Sequence, residues 1–131
     1  MCYYVYGALY GKIDKSEYKA IEDKYEFKIH PGTKHDVKMS LLNELNDYRV
    51  TDWMCDCDSP LGDGDPKSKY IQIYADLFEE IKKIKGAKHI YLCRSWTGTR
   101  NKHETKLKLD EIDIKETLAN LERNNLYVFE I

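Results

Sequence analysis

The sequence predicts a single compact domain of alternating strands and helices, with an α/β or α+β fold. The length of 131 residues suits one hydrophobic core, so we expect one domain over residues 1–131. Apolar residues make up 42% and charged residues 34%, a composition typical of a folded protein with a well-solvated surface. Segments with strand-like and helix-like patterns alternate along the chain. We therefore expect a mixed sheet of five or six strands covered by about four helices, with a ferredoxin-like α+β arrangement as the alternative.

The first elements follow from residues 2–32. Residues 2–10 are aromatic or β-branched on both faces, which predicts a strand near the middle of a sheet. Asp14 and Glu17 form a capping box and predict a helix over residues 14–24. Residues 25–30 alternate weakly and predict a second strand, which Pro31-Gly32 ends.

Two helices and a strand are predicted in the middle of the chain. Apolar residues at offsets of four, four and three predict a helix over residues 36–48, and residues 49–57 predict a strand. After these, Asp65 is the expected cap of a helix that has Pro66 in its first turn and closes at Gly86. One face of that helix is expected to be buried through Tyr70, Ile73, Tyr74, Leu77, Ile81 and Ile84.

The last part of the chain predicts three strands and a helix. Residues 88–96 predict a strand, residues 97–103 a loop and residues 104–109 a short edge strand. Asp113 begins a second capping box, and the helix it starts can end in a left-handed turn at Asn124-Asn125. Residues 126–131 predict a terminal strand.

The charge balance and the cysteines restrict the function classes. The net charge of −2 lacks the basic excess of a protein that grips a nucleic-acid backbone, so no nucleic acid is expected as a partner. No apolar run approaches the ~20 residues that span a bilayer, so we expect no membrane association. The apolar N-terminus lacks the flanks of a signal peptide. A cytoplasmic location is therefore expected, with the four cysteines reduced or bound to metal.

An acidic, cysteine-bearing loop occupies residues 53–65. Cys55 and Cys57, with Asp58 beside them, are candidate metal ligands, and zinc prefers thiolates. Further ligands would come from Cys2, Cys93, His30, His35 or His89. The Cys-x-Cys spacing is not the paired Cys-x-x-Cys of zinc knuckles. Two other interpretations are a nucleophilic thiol and, more simply, buried cysteines with aspartates that form turns and caps.

A basic loop lies in residues 94–106. Arg94, Trp96, Arg100, Lys102 and His103 are candidate residues for binding an anion, with the tryptophan as a stacking surface. Neither glycine-rich phosphate-binding motif occurs in the chain. The alternative is a solvated loop in which Trp96 packs into the core.

Three functions are consistent with these observations. The first is a small non-catalytic binding or regulatory protein, such as a toxin-neutralising protein, whose partner is another protein. The second is a domain stabilised by zinc at Cys55 and Cys57, and no other cofactor is expected. The third is an enzyme that acts on a small anionic substrate, which requires the acidic and basic loops to meet. We favour the non-enzymatic alternative because no catalytic constellation is evident.

Overall fold

The computed structural model describes residues 3–25, 30–32, 61–96 and 103–131. The elements in chain order are β1 (Tyr3–Gly11), α1 (Lys15–Tyr25), β2 (His30–Gly32), α2 (Lys69–Lys82), β3 (Ala87–Trp96), β4 (His103–Lys108), a 3-10 turn (Leu109–Glu111), α3 (Ile114–Ala119) and β5 (Asn125–Glu130). The predicted helix over residues 36–48 and the predicted strand over residues 49–57 lie outside the described residues.

The five strands form one mixed sheet in the order β2-β1-β3-β5-β4. The two outer pairs, β1 with β2 and β4 with β5, are parallel, whereas β3 runs antiparallel to both of its neighbours. The predicted mixed sheet covered by helices is confirmed, although the described residues form only three α-helices. The described strands do not have the ferredoxin-like order. In that fold another strand separates the two parallel strands of each βαβ unit, whereas here the parallel strands are adjacent.

The main core lies between the sheet and the three helices. Val5, Leu9 and Ile90 face this core from the sheet, and Phe78 of α2 meets Phe129 of β5 edge-to-face with ring centroids 5.1 Å apart. Aromatic pairs of this kind add to the free energy gained by burying their area.

The opposite face of the sheet is buried as well. Ala8, Tyr91, Cys93, Leu126 and Val128 form a second apolar cluster there, each at most 7% exposed. This burial explains why the sequence of β1 is apolar on both faces, and it confirms the predicted interior position of β1.

The first helix begins as predicted but ends later. Oδ1 of Asp14 accepts hydrogen bonds from the backbone N–H (2.7 Å) and the hydroxyl (2.6 Å) of Ser16, which lower the pKa of the Asp14 carboxyl. The strand predicted over residues 25–30 does not begin at Tyr25, which ends α1 and packs against the main core. Residues 26–29 of that prediction lie outside the described residues, and His30 begins β2. Pro31 was expected to end the second strand but lies inside β2, an edge of the described sheet, where a missing N–H is tolerated.

The N-cap of α2 was predicted wrongly. Ser68, not Asp65, is the N-cap, and its hydroxyl accepts a hydrogen bond from the N–H of Tyr70 at 3.2 Å. Asp65 organises the preceding turn by accepting from the N–H of Lys67 at 3.0 Å, and Pro66 therefore lies before the helix. Among the described helices, none has the length and apolarity needed to cross a membrane.

The buried face of α2 was also predicted with an error. Tyr70 is 50% exposed and Ile73 is 39% exposed, whereas Ile71, Ala75 and Phe78 are buried. The buried arc is therefore rotated away from the predicted one, although Tyr74, Leu77, Ile81 and Ile84 are buried as expected.

A tight contact joins the turn after α2 to the end of β1. Gly86 has a φ of 89°, and a Cβ at this position would collide with the carbonyl oxygen of Lys12. Gly11 faces the same contact from the other side, because a Cβ there would meet the carbonyl oxygen of Gly86. Glycine is thus required twice for the two backbones to approach.

The C-terminal elements largely confirm the sequence prediction. The side chain of Asp113 accepts from the N–H groups of Lys115 (3.1 Å) and Glu116 (3.3 Å), so it caps α3. Asn124 adopts the left-handed conformation, with a φ of 58°, immediately before β5. The helix itself stops earlier, at Ala119, because Asn120 is its C-cap.

Candidate functional site

Arg94 is a buried cation near the end of β3. Its side chain is on the helix-covered face of the sheet and is only 2% exposed. Nη1 donates a hydrogen bond to the carbonyl oxygen of Leu61 at 2.9 Å, and the backbone carbonyl of Arg94 accepts from the N–H of Asn124 at 2.9 Å. A buried charged group requires such partners, because losing its hydration is costly.

Hydrogen bonds hold the last part of the acidic loop beside this arginine. The N–H of Gly62 donates to the carbonyl of Leu118 at 3.0 Å, and the N–H of Gly64 donates to that of Ala119 at 2.6 Å. A Cβ at Gly62 would lie 2.7 Å from the carbonyl oxygen of Leu121 and 3.1 Å from Nη1 of Arg94. The end of the acidic loop therefore lies between α3 and β3.

Polar residues from three strands form one row at this end of the sheet. Strands β3 and β5 are antiparallel and Cys93 pairs with Leu126, so the next residue of β3, Arg94, lies opposite Asn125. Asn125 in turn pairs with His103 of β4, and the three residues form a row across β3, β5 and β4. Asn125 is buried, and its Nδ2 donates to the hydroxyl of Thr105 at 3.0 Å. His103 is exposed and lies two strand spacings, ~10 Å, from Arg94. We refer to these three residues and Leu61 as the sheet-end site.

Of the five predicted anion-binding residues, the sheet-end site contains Arg94 and His103. Trp96 is the last residue of β3, and Arg100 and Lys102 lie outside the described residues. The predicted anionic site requires the basic and acidic loops to lie at the same end of the sheet. The described parts of the two loops do meet there, because Arg94 of the basic loop donates a hydrogen bond to Leu61 of the acidic loop. The role of these residues toward an anion stays a prediction.

The predicted zinc ligands Cys55, Cys57 and Asp58 lie outside the described residues. In the part of the chain that is described, no three His, Cys, Asp or Glu side chains are grouped to hold a metal ion. Two of the proposed additional ligands, His89 and Cys93, are four residues apart on β3. That spacing is ~13 Å, so one zinc ion could not bind both.

An exposed apolar pair lies on the outer side of α2 and was missed by the sequence analysis. Tyr70 and Ile73 are the large hydrophobic residues exposed among those described. Nζ of Lys69 lies 5.1 Å from the centroid of the Tyr70 ring, and one turn further on Gln72 donates to Oδ1 of Asp76 at 2.8 Å. We refer to Lys69, Tyr70, Ile73 and Asp76 as the α2 patch. Ile71, Ala75 and Phe78 form a stripe that is equally regular in the sequence. Choosing that stripe as part of the buried face would have predicted that Tyr70 and Ile73 are exposed.

An ionic contact holds α1 against α2. Nζ of Lys24 lies 2.8 Å from Oε1 of Glu80. Hydrogen bonds from Lys24 and Tyr25 lower the pKa of the Glu80 carboxyl. Burial, followed by the hydrogen bond to Glu80 and the charges of Glu80 and Asp76, raises the pKa of Tyr25 to about 12. These groups stabilise the packing of α1 on α2, and Glu80 lies one helical turn after Asp76 of the α2 patch.

A groove of about 350 Å³ lies at the far end of β4 from His103. Two lysines and two glutamates line it, with two aliphatic side chains between them: Lys106, Lys108, Glu111, Glu130, Leu107 and Ile112. Its charges balance, and its nearest lining residue on β4, Lys106, lies ~10 Å along the strand from His103. The groove is therefore separate from the predicted anion site.

Comparison of the chain with protein-family models, curated proteins and solved structures finds no match.

Proposed function

We propose that the protein is a small non-catalytic binding protein and that its partner is another protein bound at the α2 patch. The observation that carries this proposal is the exposure of Tyr70 and Ile73 on a regular helix whose other large apolar residues are buried. Residues three apart on a helix are neighbours, so the two side chains form one continuous surface.

The patch has the chemistry of a protein contact. Tyrosine is enriched at interfaces because it offers a large apolar ring at little cost in side-chain entropy. The helix beneath is fixed to the rest of the fold: Ser68 caps it, and six of its 14 residues are buried. A contact made on such a helix loses little backbone entropy on binding, because the bound shape already exists.

The test is affinity purification of the whole tagged chain, compared with a Tyr70→Ser/Ile73→Ser variant. We expect one stoichiometric partner with the wild type and its loss with the variant, at an unchanged melting temperature, because both side chains are exposed. Lys19→Ser/Asp23→Ser on α1 is the matched control, since these residues are also exposed and helical. Retention of the partner by the patch variant would contradict the proposal, as would a chain that captures neither another protein nor an untagged copy of itself.

A second candidate is an enzyme that acts on a small anionic substrate at the sheet-end site. The contact between Arg94 and Leu61 favours it, since the first residue of the basic loop meets the last part of the acidic loop. Titration of the whole chain with inorganic phosphate should then show binding that Arg100→Gln/Lys102→Gln weakens and Lys12→Gln/Lys15→Gln does not. Heat changes no larger than those of dilution would rule this candidate out.

The zinc-stabilised domain remains the third candidate. Elemental analysis of freshly purified protein, beside titration of its thiols, decides it: about one zinc per chain with protected thiols supports the site, and metal-free protein excludes it.

A further inference from the structure

The outer side of α2 carries charges of opposite sign on either side of its apolar pair. Lys69 precedes Tyr70 and Ile73, and Asp76 and Glu79 follow them; all five side chains are exposed. Along the helix, the surface therefore changes from basic to apolar to acidic. A surface with this order is complementary to itself when it is reversed.

We propose that a second copy of this chain covers the α2 patch, with the two α2 helices antiparallel about a two-fold axis near Ile73. This inference rests on the proposed function, because it names the occupant of the same patch. A two-fold axis brings the same patch of both copies together, so that every contact occurs twice.

The spacing along the helix supports this arrangement. Ile73 follows Lys69 by four residues and precedes Asp76 by three, so the two charged residues lie ~6 Å and ~4.5 Å along the helix axis on either side of Ile73. In the antiparallel pair, each Lys69 faces Asp76 of the other copy, and the apolar pairs meet between them. A parallel pair would instead place like charges opposite each other.

The local contacts are compatible with the pairing. Lys69 already lies over the ring of Tyr70, which holds its ammonium group beside the apolar pair. Asp76 uses Oδ1 to accept from Gln72, and a carboxylate has a second oxygen with which to meet a lysine. Two apolar residues per copy form a small interface compared with the ~1,600 Å² of standard complexes, so the dimer is weak, with a dissociation constant in the micromolar range or above.

Sedimentation equilibrium of the whole chain over a wide range of protein concentration tests the proposal, with charge-reversal variants. We expect a reversible monomer–dimer equilibrium in the wild type. Lys69→Glu alone and Asp76→Lys alone should each weaken association roughly tenfold, because each places two pairs of like charges in contact. The double variant Lys69→Glu/Asp76→Lys should return to within about twofold or threefold of the wild type, since both pairs are restored with reversed sign.

Two controls separate pairing from damage to the fold. Lys19→Glu, on the exposed face of α1, should leave association unchanged. Lys69→Glu adds an acidic residue to the first turn of α2, which the helix dipole favours, so its melting temperature should not fall.

A chain that is monomeric at all concentrations would overturn the inference, and so would a double variant that associates no better than either single variant. If the chain is monomeric but the Tyr70→Ser/Ile73→Ser variant loses another protein, the inference fails and the proposed function stands. If that variant also loses nothing, both fail.

Discussion

At the scale of single residues, a substitution at Arg94 should lower the free energy of unfolding, because it removes a buried hydrogen bond. Replacing Arg94 with methionine keeps most of the side-chain length but removes the donor to the carbonyl of Leu61. Losing a hydrogen bond from a charged group costs about 1.5–3 kcal/mol, so we expect a lower urea midpoint for Arg94→Met. Arg123→Met is the matched control, since Arg123 is exposed. Equal midpoints for the two variants would show that the Arg94 contact contributes nothing.

Tyr25 should make stability depend on pH in the alkaline range. Its pKa is raised from 10.0 to about 12, so the folded state holds the phenol proton more tightly than the unfolded state does. This contribution is present in full below about pH 10 and is lost as the pH rises towards about 12. We expect the free energy of unfolding of the wild type to fall more steeply over this range than that of Tyr25→Phe, measured by urea denaturation.

The exposed Tyr70 supplies the control for this pH experiment. Tyr70→Phe removes a hydroxyl from an exposed tyrosine and controls for the loss of a phenol group as such. Parallel profiles for wild type and Tyr25→Phe would show that Tyr25 ionises alike in both states.

At the scale of elements, the turn between α2 and β3 depends on Gly86. Gly86→Ala should destabilise the protein by more than ~1 kcal/mol, because the new Cβ adds a collision with Lys12 to the cost of a positive φ. Gly64→Ala is a close control: its φ is 82° against 89° for Gly86, and a Cβ there meets nothing within 4 Å. Thermal melting compares the two variants. Equal losses would mean that backbone conformation alone, and not the collision, sets the cost.

Elements with strong local signals could be predicted from the sequence, and contacts between elements could not. The Asp113 cap, the left-handed Asn124 and strand β3 are determined within a few residues, and all three were predicted. The face of α2 was not, because apolar residues at 70, 71, 73, 74, 77 and 78 fit two overlapping arcs, and only the position of the sheet selects one.

In the candidate sites too, local sequence patterns predicted some residues, whereas contacts between distant residues could not be predicted. A local excess of basic residues in the sequence indicated Arg94 and His103, and the sheet places both at one end. The partner of Arg94 is Leu61, 33 residues away, and no local pattern indicates that bond. The α2 patch was missed for the related reason that exposure is decided by tertiary packing.

At the scale of the whole molecule, the sheet is buried on both faces, and neighbouring residues of β5 test this. Phe129 faces the helices and Val128 faces the second cluster, and they are 0% and 6% exposed. Phe129→Ala should cost about 3–5 kcal/mol. Val128→Ala should cost about 1–2 kcal/mol, since it removes about two buried methylene-sized groups.

Chemical denaturation of both variants provides the measurement. Lys106→Ala on the neighbouring strand is the control for side-chain loss without burial, since Lys106 pairs with Val128 and is exposed. A Val128→Ala variant as stable as the wild type would mean that the second face is effectively open to solvent.

The central position of β3 has a consequence for how fast the chain can fold. Its pairing with β1 joins Tyr3 to Trp96, so the centre of the sheet closes only when distant parts of the chain meet. Loop-closure entropy must be lost before such contacts form, and domains dominated by them refold in milliseconds to seconds rather than microseconds. The helices can form early from local contacts, but the register of the sheet must wait for β3. We therefore expect refolding to be limited by the search of β1 for its neighbour, which makes the rate more sensitive to the length of the intervening chain than to helix propensity.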